Sequence, residues 1–208
     1  MKGHLIVHNE HGNKSGRTVR ITFEDIDNHS AVGKPFHLCK PSACNFILII
    51  IDTMSDSQLS ETFGLIQAAA QSGNGFGVDE YSSEKKFRED IDGSFNFAIM
   101  SKDTGEMVAA FMLAISKYYR GCNSVVDPFI IVKKSERGKK IGEFCLQISV
   151  DFAQYLILYV DTFSNNRAMI KIIENVGGFT QVGFLLMGGK MKDGSIVSSI
   201  IFYKDFKS

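Results

Sequence analysis

The stretch from Phe129 to Gln147 constrains this chain most, because it must pass from strand to helix through a basic loop that contains glycine. Ile130, Ile131 and Val132 form a branched apolar run that reads as a buried strand. Beyond the polar segment Lys133–Lys140, apolar residues return at Ile141, Phe144, Cys145, Ile148 and Phe152. That i, i+3, i+4, i+7, i+11 spacing puts one stripe of a helix against a sheet. The first N–H groups of such a helix have no intrahelical acceptor and carry the positive end of its dipole. Gly138 and Gly142 let an anion approach the backbone, and Arg137, Lys139 and Lys140 surround it with positive charge. The stretch therefore predicts a phosphate or pyrophosphate site.

Arg137-Gly138-Lys139-Lys140-Ile141-Gly142 resembles the acyl-CoA-binding signature of the GNAT superfamily of N-acyltransferases, R/Q-x-x-G-x-G/A at a strand-to-helix junction. Lys140 stands where that family usually has its middle glycine. A second resemblance follows in order. Asn166 opens a helical run through Val176 that closes in Gly177-Gly178-Phe179, with the strand-like segment Leu156–Phe163 between the two signatures. The resemblance covers about 45–206. It implies an α/β fold of the GNAT type, with a mixed central sheet flanked by helices on both faces and splayed central parallel strands.

It also implies acetyl-CoA as cosubstrate. The backbone of Ile130, Ile131 and Val132 and the loop Arg137, Gly138, Lys139, Lys140, Ile141 and Gly142 would bind it, with Asn166 contacting cofactor or substrate, or simply capping its helix. Direct acyl transfer to an amine requires a positioned thioester, a free lone pair and stabilisation of the developing oxyanion. A lysine-like amine has a pKa of about 10.4, so a base must take its proton. Asp127, on the strand before the loop, is the first candidate, although an aspartate before Pro128 also reads as a turn residue. Glu80 is the second. Many relatives carry a tyrosine that protonates the leaving thiolate where this chain has Ile172, which leaves Tyr159 or water for that step, or a weak activity.

The segments Val182–Phe184, Ile200–Tyr203 and Ile66–Phe87 resemble fungal enzymes that acetylate azetidine-2-carboxylate and related small amines. The expected activity is therefore N-acetylation of a small-molecule amine or amino acid. A non-catalytic CoA-binding or interaction module and a protein or peptide N-acetyltransferase are the alternatives.

The rest of the chain narrows the class. With 23 basic and 23 acidic residues the formal charge is zero, so no global field recruits nucleic acid or an anionic membrane. No uncharged apolar run reaches the roughly 18 to 20 residues that span a bilayer, and the start lacks a signal-peptide core. A cytoplasmic location follows. Cys39, Cys44, Cys122 and Cys145 form no C-x-x-C pair, and His4, His8 and His11 lack ligand-spaced partners, so no metal is expected.

Residues 1–42 read as an N-terminal hairpin or extension, with Leu5–Val7 pairing Val19–Phe23 and Asp25–Pro41 as loop; it either extends or covers the sheet or makes a homodimer contact. The acyltransferase domain is expected over 43–208. Phe46–Ile51 reads as a buried strand. Ser55 with Gln58 resembles a capping box before a helix that must stop at Gly73, Gly75 and Gly77. That glycine cluster follows a helix, so it reads as a mobile loop over a cleft instead of a dinucleotide fingerprint. A short helix over 83–90, a hairpin with a turn at 103–105, and a last hairpin, Phe184–Met187 with Ile196–Tyr203, complete the pattern.

Overall fold

The computed structural model describes residues 35–39, 45–51, 54–73, 75–115, 125–152 and 157–204. The expected pairing of Leu5–Val7 with Val19–Phe23 lies outside them. Among the described residues, eight strands form one sheet in the order β1-β2-β3-β4-β5-β6-β8-β7. They are β1 (Pro35–Cys39), β2 (Asn45–Ile51), β3 (Phe95–Ser101), β4 (Met107–Ile115), β5 (Val125–Val132), β6 (Ile157–Phe163), β7 (Thr180–Lys190) and β8 (Ile196–Lys204). Every neighbouring pair is antiparallel except β5 and β6, so the sheet is mixed as expected.

Strand β1 corrects the reading of Asp25–Pro41 as loop. Pro35 pairs with Ile49 and Cys39 with Asn45, so this segment continues the sheet outward from β2. Proline at the first position of a strand forfeits no interior ladder bond.

Helix α1 (Asp56–Gln71) starts where the sequence signals it. Ser55 Oγ accepts from Gln58 N–H at 3.3 Å while Gln58 Oε1 accepts from Ser55 N–H at 2.8 Å, the reciprocal capping box. Helix α2 (Glu84–Asp90) is capped by Ser83. Both pack on one face of the sheet, where Ile66, Phe87, Ala98, Ala110, Met112 and Ile131 form a buried core. Helices α3 (Ile141–Phe152) and α4 (Arg167–Val176) lie on the other. There Phe97, Phe111, Leu113, Ile141, Phe144 and Ile148 pack together, and Val126, Leu146, Leu158, Val160 and Ile173 continue the layer. Of the predicted stripe, Ile141, Phe144, Cys145 and Ile148 are buried at 2% exposure or less, and the side chain of Phe152 is not among those described.

Strand β7 is longer than the expected Phe184–Met187, because pairing with β8 runs from Thr180 to Lys190. The register breaks between Leu185 and Gly189, and Leu186 and Met187 project there at 78% and 79% exposure.

Candidate active site

The anion loop begins with a 3-10 turn at Lys134–Glu136. Gly138 takes a left-handed φ of 76° and Lys140 a left-handed φ of 65°. Lys140 is the one non-glycine residue with positive φ among the described residues. That conformation suits glycine and costs an L-residue roughly 1–2 kcal/mol. Phe144 N–H then donates to Lys140 C=O at 3.0 Å, which opens α3 and leaves Ile141, Gly142 and Glu143 as its first-turn donors. Those N–H groups, the helix dipole and the basic side chains form a donor set that can hold a pyrophosphate.

The cations there are already engaged. Lys139 Nζ lies 2.8 Å from Glu136 Oε2, and Lys140 Nζ lies 3.5 Å from Glu143 Oε1. Arg137 Nε donates to Val132 C=O at 3.2 Å, tying the loop to the end of β5. An arriving anion would compete for the two lysines with carboxylates three residues away.

Between β5 and β6 the ladder is short. Val125 pairs with Ile157 and Val126 with Leu158, and no pairing continues beyond them, whereas β5 stays paired with β4 as far as Val132. A groove therefore opens between β5 and β6 toward the anion loop. Lys133 N–H donates to Val108 C=O, so the odd-numbered residues of β5 bond to β4 and the even-numbered ones face β6. Pro128 is even-numbered. It lacks an N–H at the place where the β5–β6 ladder stops. By the same alternation the backbone of Ile130 and Val132 faces the groove, while that of Ile131 pairs with Ala110 and its side chain is buried under α1.

On the α1–α2 face, three carboxylates come from three elements. Phe129 and Ile131 pack on this face, so alternation places Asp127 there as well. Leu158 and Val160 pack on the α3–α4 side, which puts Tyr159 and Asp161 of β6 on the same face as Asp127. Glu80 enters from the loop between α1 and α2. Desolvation pushes the Asp127 carboxyl well above the usual carboxylate range, and the charges of Asp161 and Glu80 push it the same way. Asp161 is raised by desolvation, partly offset by a hydrogen bond from Ser199. Glu80 is raised by desolvation and by Asp161, against a hydrogen bond from Gly77 N–H. Asp161 belongs to this candidate cluster and was not singled out in the sequence. The available signal was an acid within the apolar run of β6.

The loop expected to be mobile is held at several points. Val78 N–H donates to Lys190 C=O at 3.1 Å, and Gln67 Nε2 donates to Tyr81 C=O at 3.0 Å. The Phe76 and Tyr81 rings pack on Phe129, with centroids 4.9 and 6.2 Å away. Gly75 lies against Asn166, where a Cβ would come within 2.5 Å of Nδ2. Asn166 Oδ1 meanwhile accepts from Met169 N–H at 3.2 Å, so the side chain caps α4 and supports the loop. Tyr159 is 3% exposed on the carboxylate face. The described residues contain no group of side chains that could hold a metal ion.

No family profile matches this chain, and no curated protein matches its sequence. Solved structures do match its fold. A candidate phosphinothricin N-acetyltransferase superposes with a TM-score of 0.68 at 18% identity, covering 77% of this chain and 99% of the other. A ribosomal-protein-alanine N-acetyltransferase from Brucella melitensis gives 0.63 at 16% identity, covering 75% and 98%. Spermidine N-acetyltransferase from Vibrio cholerae, in complex with CoA and spermine, gives 0.59 at 14%, covering 75% and 94%. At these identities the likeness concerns the fold, and the fold is that of the GNAT acetyltransferases.

Proposed function

We propose that this chain, folded as a GNAT acetyltransferase, is an acetyl-CoA-dependent N-acetyltransferase that acts on a small-molecule amine. One observation carries the reading: pairing between β5 and β6 stops after Val126 and Leu158, on strands that lead to the start of α3 and bear the carboxylates Asp127 and Asp161. The residues fit the cosubstrate. Ile141, Gly142 and Glu143 N–H groups with Arg137, Gly138, Lys139 and Lys140 would hold the pyrophosphate, and the groove edge at Ile130 and Val132 would hold the pantetheine arm. Acetyl-CoA supplies the activated acetyl thioester.

Asp127 acts as general base, directly or through one water. Desolvation and the charges of Asp161 and Glu80 raise its proton affinity above that of an ordinary carboxylate, which strengthens it as a base. Glu80 holds the acceptor's ammonium before deprotonation. Donors on the β5 edge, Ile130 or Val132, stabilise charge on the carbonyl oxygen. Nitrogen bonds to the acetyl carbon, the carbon–sulfur bond breaks, and the amine's proton leaves through Asp127. With Ile172 in place of a tyrosine, Tyr159 or water returns a proton to the thiolate. Asn166 serves this site by holding the loop that carries Glu80.

The described residues contain no helix long and apolar enough to cross a membrane. A cytoplasmic location suits an enzyme that draws on acetyl-CoA. The test is thiol release from acetyl-CoA against monoamines, diamines, amino acids including azetidine-2-carboxylate, and peptides. Release with small amines supports the reading. Release only with peptides makes the chain a peptide acetyltransferase, and binding without release makes it a CoA-binding module, a role that Lys140 and Ile172 would favour.

A further inference from the structure

We propose that the acceptor is an amine with a second positive charge, a diamine or polyamine, and that Asp161 reads that second charge. This deepens the acyl-transfer reading and rests on its placement of the acceptor beside Asp127. A single carboxylate suffices to take the proton of a reacting amine. Here three converge from β5, β6 and the α1–α2 loop, and among the described residues no basic side chain offsets any of them. Lys139 and Lys140 sit at the other end of the groove, each with its own glutamate.

Desolvated carboxylates of like sign raise each other's free energy until a cation or a proton arrives. An ammonium group at each relieves that repulsion. An amino-acid acceptor would instead bring a further carboxylate into a region that is already negative. Along the strands, Asp127 lies one residue past the last β5–β6 pair and Asp161 three past it. That offset of two residues is roughly 7 Å along the strands. With the inter-strand spacing of about 5 Å it sets the two positions at least about 8 Å apart, a span that an alkyl chain with an ammonium group at each end can bridge. The aromatic surface of Phe76, Tyr81 and Phe129 borders the carboxylates on the same face. It can pack the methylenes between two nitrogens and attract a cation through its ring faces. The geometry thus assigns Asp127 to the reacting nitrogen and Asp161 to the distal one.

The test is calorimetric titration of the full chain, saturated with CoA, by 1,4-diaminobutane and by n-butylamine. The diamine should bind at least about tenfold tighter, as expected for one added charge-assisted contact. Asp161→Asn should remove most of that advantage, bringing the diamine and butylamine constants together, while leaving acetyl-CoA affinity unchanged. Equal binding of the two amines by the native chain would overturn the proposal whether or not the variant folds. An advantage that survives in a folded Asp161→Asn would overturn it as well. Because the readout is binding, it is separate from thiol release. A native chain that prefers the diamine but releases no thiol contradicts the acetyltransferase reading alone, and one that acetylates monoamines and diamines equally contradicts this one alone.

Discussion

Ile172 Cδ1 occupies the space into which a side chain on Gly142 would grow: a Cβ there would come within 2.9 Å of it. Gly142 therefore lets α4 close against α3 as well as leaving room for an anion. Gly142→Asp should lose stability by roughly 1–3 kcal/mol through overpacking, in addition to losing acetyl-CoA binding. Gly138 is the cleaner probe, since nothing lies within 4 Å of its Cβ direction. Gly138→Asp should fold with a small loss from its left-handed φ and still fail to bind. Urea denaturation paired with acetyl-CoA titration separates the two, and equal stability of both variants would contradict the packing role of Gly142.

Lys140 combines a strained backbone with an ion pair. Lys140→Gly relieves the left-handed strain, so stability should hold or rise by up to about 1 kcal/mol. The same change removes one cation and leaves Glu143 uncompensated beside the anion site. Acetyl-CoA affinity should therefore fall and its salt dependence weaken. An affinity that rises in Lys140→Gly would mean that the side chain only crowds the backbone.

Asp127→Asn keeps the shape of the proposed base and removes its charge. The rate constant kcat should fall by a factor on the order of 10² to 10⁴, with acetyl-CoA binding nearly intact. The acidic limb of the rate profile should disappear, and residual activity should rise with pH as free amine accumulates. If full kcat and the same limb persist, Asp127 takes no part in the proton transfer, and Glu80→Gln is the next variant to measure.

Stability should report the same carboxylates with a definite sign. Asp127, Asp161 and Glu80 all hold protons more tightly folded than unfolded. Their contribution is fully present below the unfolded carboxylate value of about 4, and is lost as pH rises through the folded values. Asp127→Asn removes one of these groups, so its urea midpoint should decline less than that of the native chain from about pH 4 to about pH 8. A steeper decline in the variant would contradict the desolvated placement of Asp127.

Local chemistry made much of this fold legible in the sequence. The Ser55–Gln58 capping box, the apolar stripe from Ile141 to Ile148 and the basic turn between β5 and α3 are all set by near neighbours, and each forms where it was read. Pro128, which has no N–H to give to a ladder, lies just beyond the last β5–β6 pair. Strand β1 escaped because its assignment depends on pairing with β2, a contact that a loop-like composition does not announce. Asp161 escaped for a related reason. Inside an apolar strand it reads as an isolated exception, and only the packing of β6 beside β5 brings it toward Asp127. Similarly, Asn166 read as a cap or a contact residue, and its support of Gly75 depends on a loop about ninety residues earlier.

The most direct test of the central claim is amine-dependent thiol release from acetyl-CoA by the native chain and by Gly138→Asp, with the N-acetyl product identified by mass spectrometry. The account predicts stoichiometric thiol and N-acetylamine from the native chain, and neither above background from a folded Gly138→Asp. Undiminished turnover in that variant would place acetyl-CoA outside the β5–β6 groove, and the absence of amine-dependent release from the native chain with every acceptor would contradict the acetyltransferase assignment.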